Sequence, residues 1–420
     1  MKYTKYDMNA YDLHIVKTDK FKTITVGVAF RRKIVKEEIT IRNLLKELML
    51  NATYDYPSEK SLIVQTENLY DLKLMAQNYR IGNYSILSFK TRFLSEEFTE
   101  DGMNNESIKF LLDLIFRPKL DIDIDKCKEK IRKSILSLSD NKIKYSLNRL
   151  LESTGNMPYA YNSYGYMSDL EKITYEDIKN YYDSVIRDDL IDVYVVGNVD
   201  EVKVKNIFRE CFKVNTFHKN EINIITDELS NVRKVREFRE NSDVNQTQLA
   251  ILCNMHDVSD RERKYVLPVY TEMLGGSSNS ILFDNVREKN SYAYYINAIV
   301  KSYDNVMMIY SGIEKGNEKN VYKIIDKSLK EISKGNFDDA VFNSAKETLV
   351  SAIKATLDSP MEIINNYYAM KLVNSPDIDE RIDNINTVTR EEIINVSKKI
   401  KIHTMFILEA SDEENNNKEN

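Results

Sequence analysis

Apolar positions along this chain recur with two different spacings, and each spacing predicts a kind of element. Val321, Ile324, Ile325, Leu329 and Ile332 fall at helical intervals, and Gly335 just past Lys334 reads as a stop signal. Ile108, Leu111, Leu112 and Ile115 repeat the pattern ahead of Pro118, which cannot continue a helix. Unbroken apolar runs instead predict buried strands: Val193-Tyr194-Val195-Val196-Gly197 and Thr404-Met405-Phe406-Ile407-Leu408, with further strand-like stretches at 86–93 and 306–309. Thr174-Tyr175-Glu176-Asp177-Ile178 and Thr389-Arg390-Glu391-Glu392-Ile393 each set a threonine three residues before an acid. That is the capping-box signature of a helix start.

These landmarks come in pairs about half a chain apart, and Leu69-Tyr70-Asp71 with Leu282-Phe283-Asp284 reads as one more pair. The fold class expected is α+β: two tandem homologous α+β domains, each a mainly antiparallel sheet backed by helices. The first domain is expected over 1–215 and a linker over 216–235, within a stretch (214–239) where the apolar pattern thins. A second domain follows over 236–410, its opening strand at 246–252. The acidic tail, 411–420, has nothing to bury and is expected to be disordered.

With 420 residues, 42% of them hydrophobic, the chain can bury large cores, and its net charge of -6 gives no footprint for a polyanion. Neither nucleic acid nor membrane is expected as a partner, since no apolar run is long enough to span a bilayer or resembles a signal peptide. A soluble cytoplasmic protein follows. Cys127, Cys211 and Cys253 are odd in number and widely spaced, which suits reduced structural thiols. His14, His218, His256 and His403 are too far apart for a local two-histidine metal motif and read as surface or satisfied interior imidazoles. No glycine pattern of a phosphate cradle is present. The tyrosines of Pro158-Tyr159-Ala160-Tyr161-Asn162-Ser163-Tyr164-Gly165-Tyr166 could line a peptide-binding wall, but buried packing is the commoner use of such rings.

The most informative stretch runs from Leu274-Gly275-Gly276-Ser277-Ser278-Asn279 through a short helix to Arg287 and Tyr294, seven positions apart. Gly275, Gly276 and Ser277 form a permissive turn that another backbone can approach, while Arg287 and Tyr294 offer donors to its carbonyl oxygens. The plainer alternative is a helix-entry turn, an Arg287–Glu288 pair on a helix face and a packed Tyr294.

In that order along the chain, Tyr56-Pro57-Ser58, Leu69-Tyr70-Asp71, Ile173 to Ile178, Val196-Gly197-Asn198-Val199 and the 287–294 segment resemble the insulinase/pitrilysin family of zinc peptidases, most closely its bacterial processing-peptidase-like branch. Active members carry His-x-x-Glu-His on a helix of the first half, two imidazoles binding zinc and the glutamate activating its water. The resemblance puts that motif on Asn43-Leu44-Leu45-Lys46-Glu47, so Asn43 replaces the first ligand, Lys46 the base and Glu47 the second ligand. A third ligand is implied near Arg132-Lys133-Ser134, where no carboxylate stands, although a shift of register would offer Glu129. A zinc site needs three protein ligands, so no metal and no cofactor is expected in this chain.

The second-half arginine and tyrosine of the family, which reach the substrate near the metal, correspond to Arg287 and Tyr294. The resemblance implies that Arg287 holds a substrate carbonyl or carboxylate and that Tyr294 donates to the developing oxyanion. The expectation is a non-catalytic subunit of a heteromeric zinc metallopeptidase, active only with a homologous zinc-bearing subunit on a peptide substrate. The alternative is a purely structural or adaptor protein that keeps the peptidase fold; an atypical enzyme is the third reading, against which Lys46 and Glu47 stand.

Overall fold

The computed structural model describes residues 1–212, 224–242 and 246–410; the tail at 411–420, part of the expected linker (216–223) and His218 lie outside the described residues. By contacts the chain forms two compact units, and neither is one continuous stretch. Unit 1 comprises Met1–Leu136, Asn162–Ile224 and Thr356–Leu372; unit 2 comprises Ser137–Tyr161, Ile225–Ala355 and Val373–Asn420. Each half of the sequence therefore contributes a short segment to the other unit.

Unit 1 is built on strands β1 (Lys2–Asp7), β2 (Asp12–Lys17), β3 (Thr23–Lys33), β4 (Lys73–Ile81), β5 (Tyr84–Leu94) and β6 (Leu190–Gly197). They form one sheet in the order β1-β2-β6-β3-β5-β4, antiparallel except for the parallel pair β2–β6. Because side chains alternate across a strand, Leu13, Ile15, Val26, Phe30, Phe89, Val193 and Val195 face a helical layer and form one core with it. The helices of that layer include Ile39–Met49, Met103–Phe116 and Tyr175–Asp188. The last starts at the Thr174/Asp177 capping box expected from the sequence.

Unit 2 repeats the plan with β7 (Arg236–Ser242), β8 (Thr247–Met255), β9 (Ala293–Lys301), β10 (Val306–Ile313) and β11 (Ile400–Ala410). Their order is β7-β11-β8-β10-β9, and β7–β11 is again the parallel pair. This matches β2-β6-β3-β5-β4 strand for strand, so the expected pair of α+β domains with mainly antiparallel sheets describes the protein. One face of the second sheet packs on helices including Glu318–Ser333. The other face buries Ala250, Leu252, Met308, Phe406 and Leu408 against Leu150 and Leu151 of the Lys142–Glu152 helix, a first-half element. The Thr389/Glu392 capping box opens the helix that leads into β11.

Two expectations need correction. Leu69-Tyr70-Asp71 is a turn with Tyr70 and Asp71 at positive φ, whereas Leu282-Phe283-Asp284 is helical, so the two do not occupy equivalent places. The opening strand of the second sheet is β7, not the 246–252 run, most of which lies in β8. As an edge strand with five of seven residues exposed, β7 carries polar side chains and leaves no apolar signal.

The second face of the unit 1 sheet is polar. His14, Arg31, Lys90, Asp192 and Tyr194 project from it beneath the Pro360–Val373 helix, which comes from the second half of the sequence. That helix buries Ile363, Ile364, Tyr368 and Leu372 and sets Lys371 between two carboxylates, 2.7 Å from Asp12 Oδ2 and in direct contact with Asp192 Oδ1. Asp192 is 1% exposed and also accepts from Arg31 Nη2 at 3.3 Å. His14 stacks on Tyr194 with centroids 4.3 Å apart, and its Nδ1 lies 2.8 Å from Tyr3 Oη. Burial alone would raise the Asp192 carboxyl, but His14, Lys371 and Arg31 together hold it well below the usual carboxylate range.

Removing one cation from so buried a carboxylate leaves charge uncompensated. Lys371→Met is expected to destabilise the chain by about 3 kcal/mol, because Arg31 remains, as measured by urea unfolding at pH 7. Burial holds the His14 imidazole below its ordinary value, so the folded chain takes up that proton less readily than the unfolded chain. Its contribution is complete above about pH 6.5 and is lost as pH falls below it, while that of Asp192 persists down to about pH 4. The midpoint of thermal unfolding should therefore fall between pH 7 and 5, and His14→Gln should reduce that slope. His403, lowered by burial in the same way, keeps it from vanishing.

Candidate functional site

The Ile39–Met49 helix forms because Leu44, Leu45, Leu48 and Met49 make one fully buried stripe, and that packing fixes what its other positions can do. Asn43, 7% exposed, donates through Nδ2 to Ser163 O at 2.8 Å and accepts at Oδ1 from Asn78 Nδ2 at 3.0 Å. Lys46 and Glu47 pair with each other, Nζ to Oε1, at 2.7 Å. At the position expected for a third ligand, Arg132 bonds Glu129 and Glu171, each at 2.5 Å, and Ser134 Oγ donates to Lys130 O. Glu129 is thus engaged on a largely exposed helix face, its side chain 48% exposed. Where zinc would sit, an amide is committed at both ends and an ammonium neutralises the remaining carboxylate. These residues do not fit zinc.

In unit 2 the Gly275-Gly276 turn has its own reason for glycine. A Cβ on Gly275 would lie 2.9 Å from both N and Cβ of Ala298, so the backbone this glycine admits closely is that of β9. A Cβ on Gly276 would lie 2.1 Å from Oε2 of Glu272. Burial raises the Glu272 carboxyl above its ordinary value, opposed by a hydrogen bond with Ser277. Ser277 is extended, and the chain re-enters a helix that ends in a π-helical turn, Phe283–Glu288.

Arg287 sits on that turn with its side chain 47% exposed, 3.8 Å from Glu288 Oε1 and with its guanidinium 4.7 Å from the Phe283 ring centroid. Tyr294 sits on an irregularity of β9: Tyr295 pairs with Gly312 and Ala293 with Ile313, so Tyr294 has no partner across the ladder. Such a bulge turns the side chain outward, and Tyr294 is 55% exposed with no hydrogen bond to any described residue.

Sequence reasoning missed the group of metal-ligating atoms found among the described residues, Asp12, His14 and Asp192, which lie within 4.8 Å of one another. A signal exists: Asp12 and His14 alternate onto one strand face, and Asp192 interrupts an apolar run. Lys371 supplies the positive charge there, and the Nε2 of His14 stands 3.8 Å from Asp192 Oδ1. The tyrosine-rich patch divides between the units, and Tyr159 packs in the second core, 3% exposed.

The chain resembles known proteins along most of its length. Residues 172–349 match the family described as the peptidase M16 inactive domain. The probable inactive metalloprotease YmfF of Bacillus subtilis is 28% identical over 411 residues, spanning 95% of this chain and 96% of its own. A conserved protein from Enterococcus faecalis V583 superposes with a TM-score of 0.89 at 24% identity, covering 97% of this chain and 99% of that one. The peptidase M16 inactive domain from Pseudomonas fluorescens does so with a TM-score of 0.80 at 14% identity, covering 98% and 99%. The chain is thus similar over much of its length to peptidases of the M16, or insulinase/pitrilysin, type.

Among the described residues no helix is long and apolar enough to cross a membrane. The close fit of Gly275 against β9 carries a prediction. Gly275→Ala should cost about 1–3 kcal/mol of stability in urea unfolding, as overpacking does, whereas Gly276→Ala should cost less because only the Glu272 side chain has to move.

Proposed function

We propose that this chain is the non-catalytic subunit of a heteromeric zinc metallopeptidase, lending Arg287 and Tyr294 to peptide cleavage on a zinc held by a homologous subunit. The observation that carries this reading is a contrast. The zinc-motif positions Asn43, Lys46 and Glu47 are bonded internally, while Tyr294 is turned outward on a bulge with its hydroxyl free to donate. A tyrosine hydroxyl and a guanidinium offered to a peptide suit a carbonyl oxygen that gains negative charge during amide hydrolysis. No cofactor belongs to this chain in that reading, and the turn Gly275-Gly276-Ser277 helps to shape the peptide surface. The cytoplasm suits the free thiols: burial raises that of Cys127 to about 11 and that of Cys253 to about 12, leaving both inert.

A purely structural or adaptor role is the second reading. The contacts of Arg287 with Glu288 and Phe283 favour it, since they give the side chain an occupation of its own. Peptidase assays on this chain mixed with a homologue bearing His-x-x-Glu-His separate the two. Arg287→Ala or Tyr294→Phe should each lower kcat/KM of the pair by about 100-fold, the scale of a lost oxyanion donor. Unchanged turnover would leave only the structural reading. The isolated chain should show no chelator-sensitive hydrolysis of oligopeptides; such hydrolysis would overturn both.

A further inference from the structure

A groove of about 400 Å³ runs between β7 and the Glu318–Ser333 helix of unit 2, away from the residues invoked above for peptide cleavage. Strand alternation explains its walls. Glu240, an even position, faces the Lys142–Glu152 helix and bonds Tyr145 and Arg149. The odd positions Val235, Glu237 and Arg239 therefore face the opposite way, toward Met405 of the neighbouring strand, which lies opposite Glu237. On the helix, Lys319, Tyr322 and Lys323 fall at i, i+3 and i+4 and form the other wall.

Val235, Tyr322 and Met405 make an apolar floor, and four basic against two acidic side chains line the groove. Neither of the two acids is available to the lysines. Glu237 pairs with Arg239 at 2.6 Å, and Glu318, 8% exposed, accepts from Gly316 N at 3.0 Å. Lys234, Lys319 and Lys323 consequently have no ion-pair partner among the described residues. Among the described residues β7 pairs with β11 alone, so one side of its main chain is left unpaired by any described strand.

From this arrangement we infer that the groove is a docking site for an extended acidic peptide segment of a partner protein. The peptide runs along β7, sets an apolar side chain on Val235, Tyr322 and Met405, and aligns carboxylates with the three unpaired lysines. A peptide rather than a nucleic acid is indicated because the floor is apolar, the free strand edge matches a peptide backbone, and the chain as a whole carries a net charge of -6.

The test is fluorescence anisotropy on the full chain with a labelled heptapeptide of alternating Glu and Leu, a Lys/Leu counterpart and a labelled oligothymidylate. The Glu/Leu peptide is expected to bind saturably, to lose at least about tenfold in affinity in Lys319→Glu/Lys323→Glu, and to weaken with added salt. The same double variant should gain binding of the Lys/Leu peptide, which shows that it is folded and that the sign of the charge is what is read. Tyr322→Ala should weaken the Glu/Leu peptide without creating affinity for its counterpart. Three results would each overturn the proposal: no saturable binding of the Glu/Leu peptide, equal binding of the oligothymidylate, or indifference to the charge reversal. So would a rise in affinity when the chain is ended at Ala410, because the occupant would then be the chain's own tail.

Discussion

A carboxylate buried in a sheet must find a cation, and in unit 1 the cation comes from far along the chain. Asp192, the third residue of β6, is 1% exposed, where an unpaired charge could not be tolerated. Arg31 from β3 and Lys371 from the Pro360–Val373 helix satisfy it, and Lys371 ties Asp12 of β2 into the same cluster. The sheet face that carries this cluster is therefore matched to one particular helix, and a generic apolar one would leave the charges bare. That match ties the segment Thr356–Leu372 to the first unit, although the sequence places it in the second half.

Unit 2 meets the same requirement with different chemistry. Its second face is apolar, and the Lys142–Glu152 helix covers it with Leu150 and Leu151. At the rim Arg149 and Tyr145 reach Glu240 of the edge strand β7. The two units share a strand order, but the face covered by the Pro360–Val373 helix holds buried ions beside its apolar contacts, whereas the face covered by the Lys142–Glu152 helix is aliphatic with its ion pair at the rim.

On the Ile39–Met49 helix, Asn43, Lys46 and Glu47 are each committed to bonds within the protein. That helix has a buried leucine stripe, and Asn43 joins it to Ser163 and Asn78. Lys46 and Glu47 close on each other. The packing of the helix depends on Leu44, Leu45 and Leu48, which face away from Asn43, Lys46 and Glu47.

Much of the fold was legible in the residues themselves, because helical and strand periodicities, the capping boxes at Thr174 and Thr389, and the doubling of landmarks are local properties. The identities of Asn43, Lys46 and Glu47 are likewise read from the sequence, but the bonds they make are not. Strand β7 escaped notice because an exposed edge leaves no apolar pattern, and the similarity between Leu69-Tyr70-Asp71 and Leu282-Phe283-Asp284 misled because composition does not fix φ. The sequence by itself determined the elements and their doubling, which are written in patterns of residues close together in the chain. Only the tertiary structure decided which helix covers which sheet, that Gly275 is needed for the approach of β9, that Tyr294 turns outward on a bulge, and that three lysines gather over an apolar floor. Each of those depends on pairs separated by tens to hundreds of residues, whose meeting is set by packing and charge neutralisation.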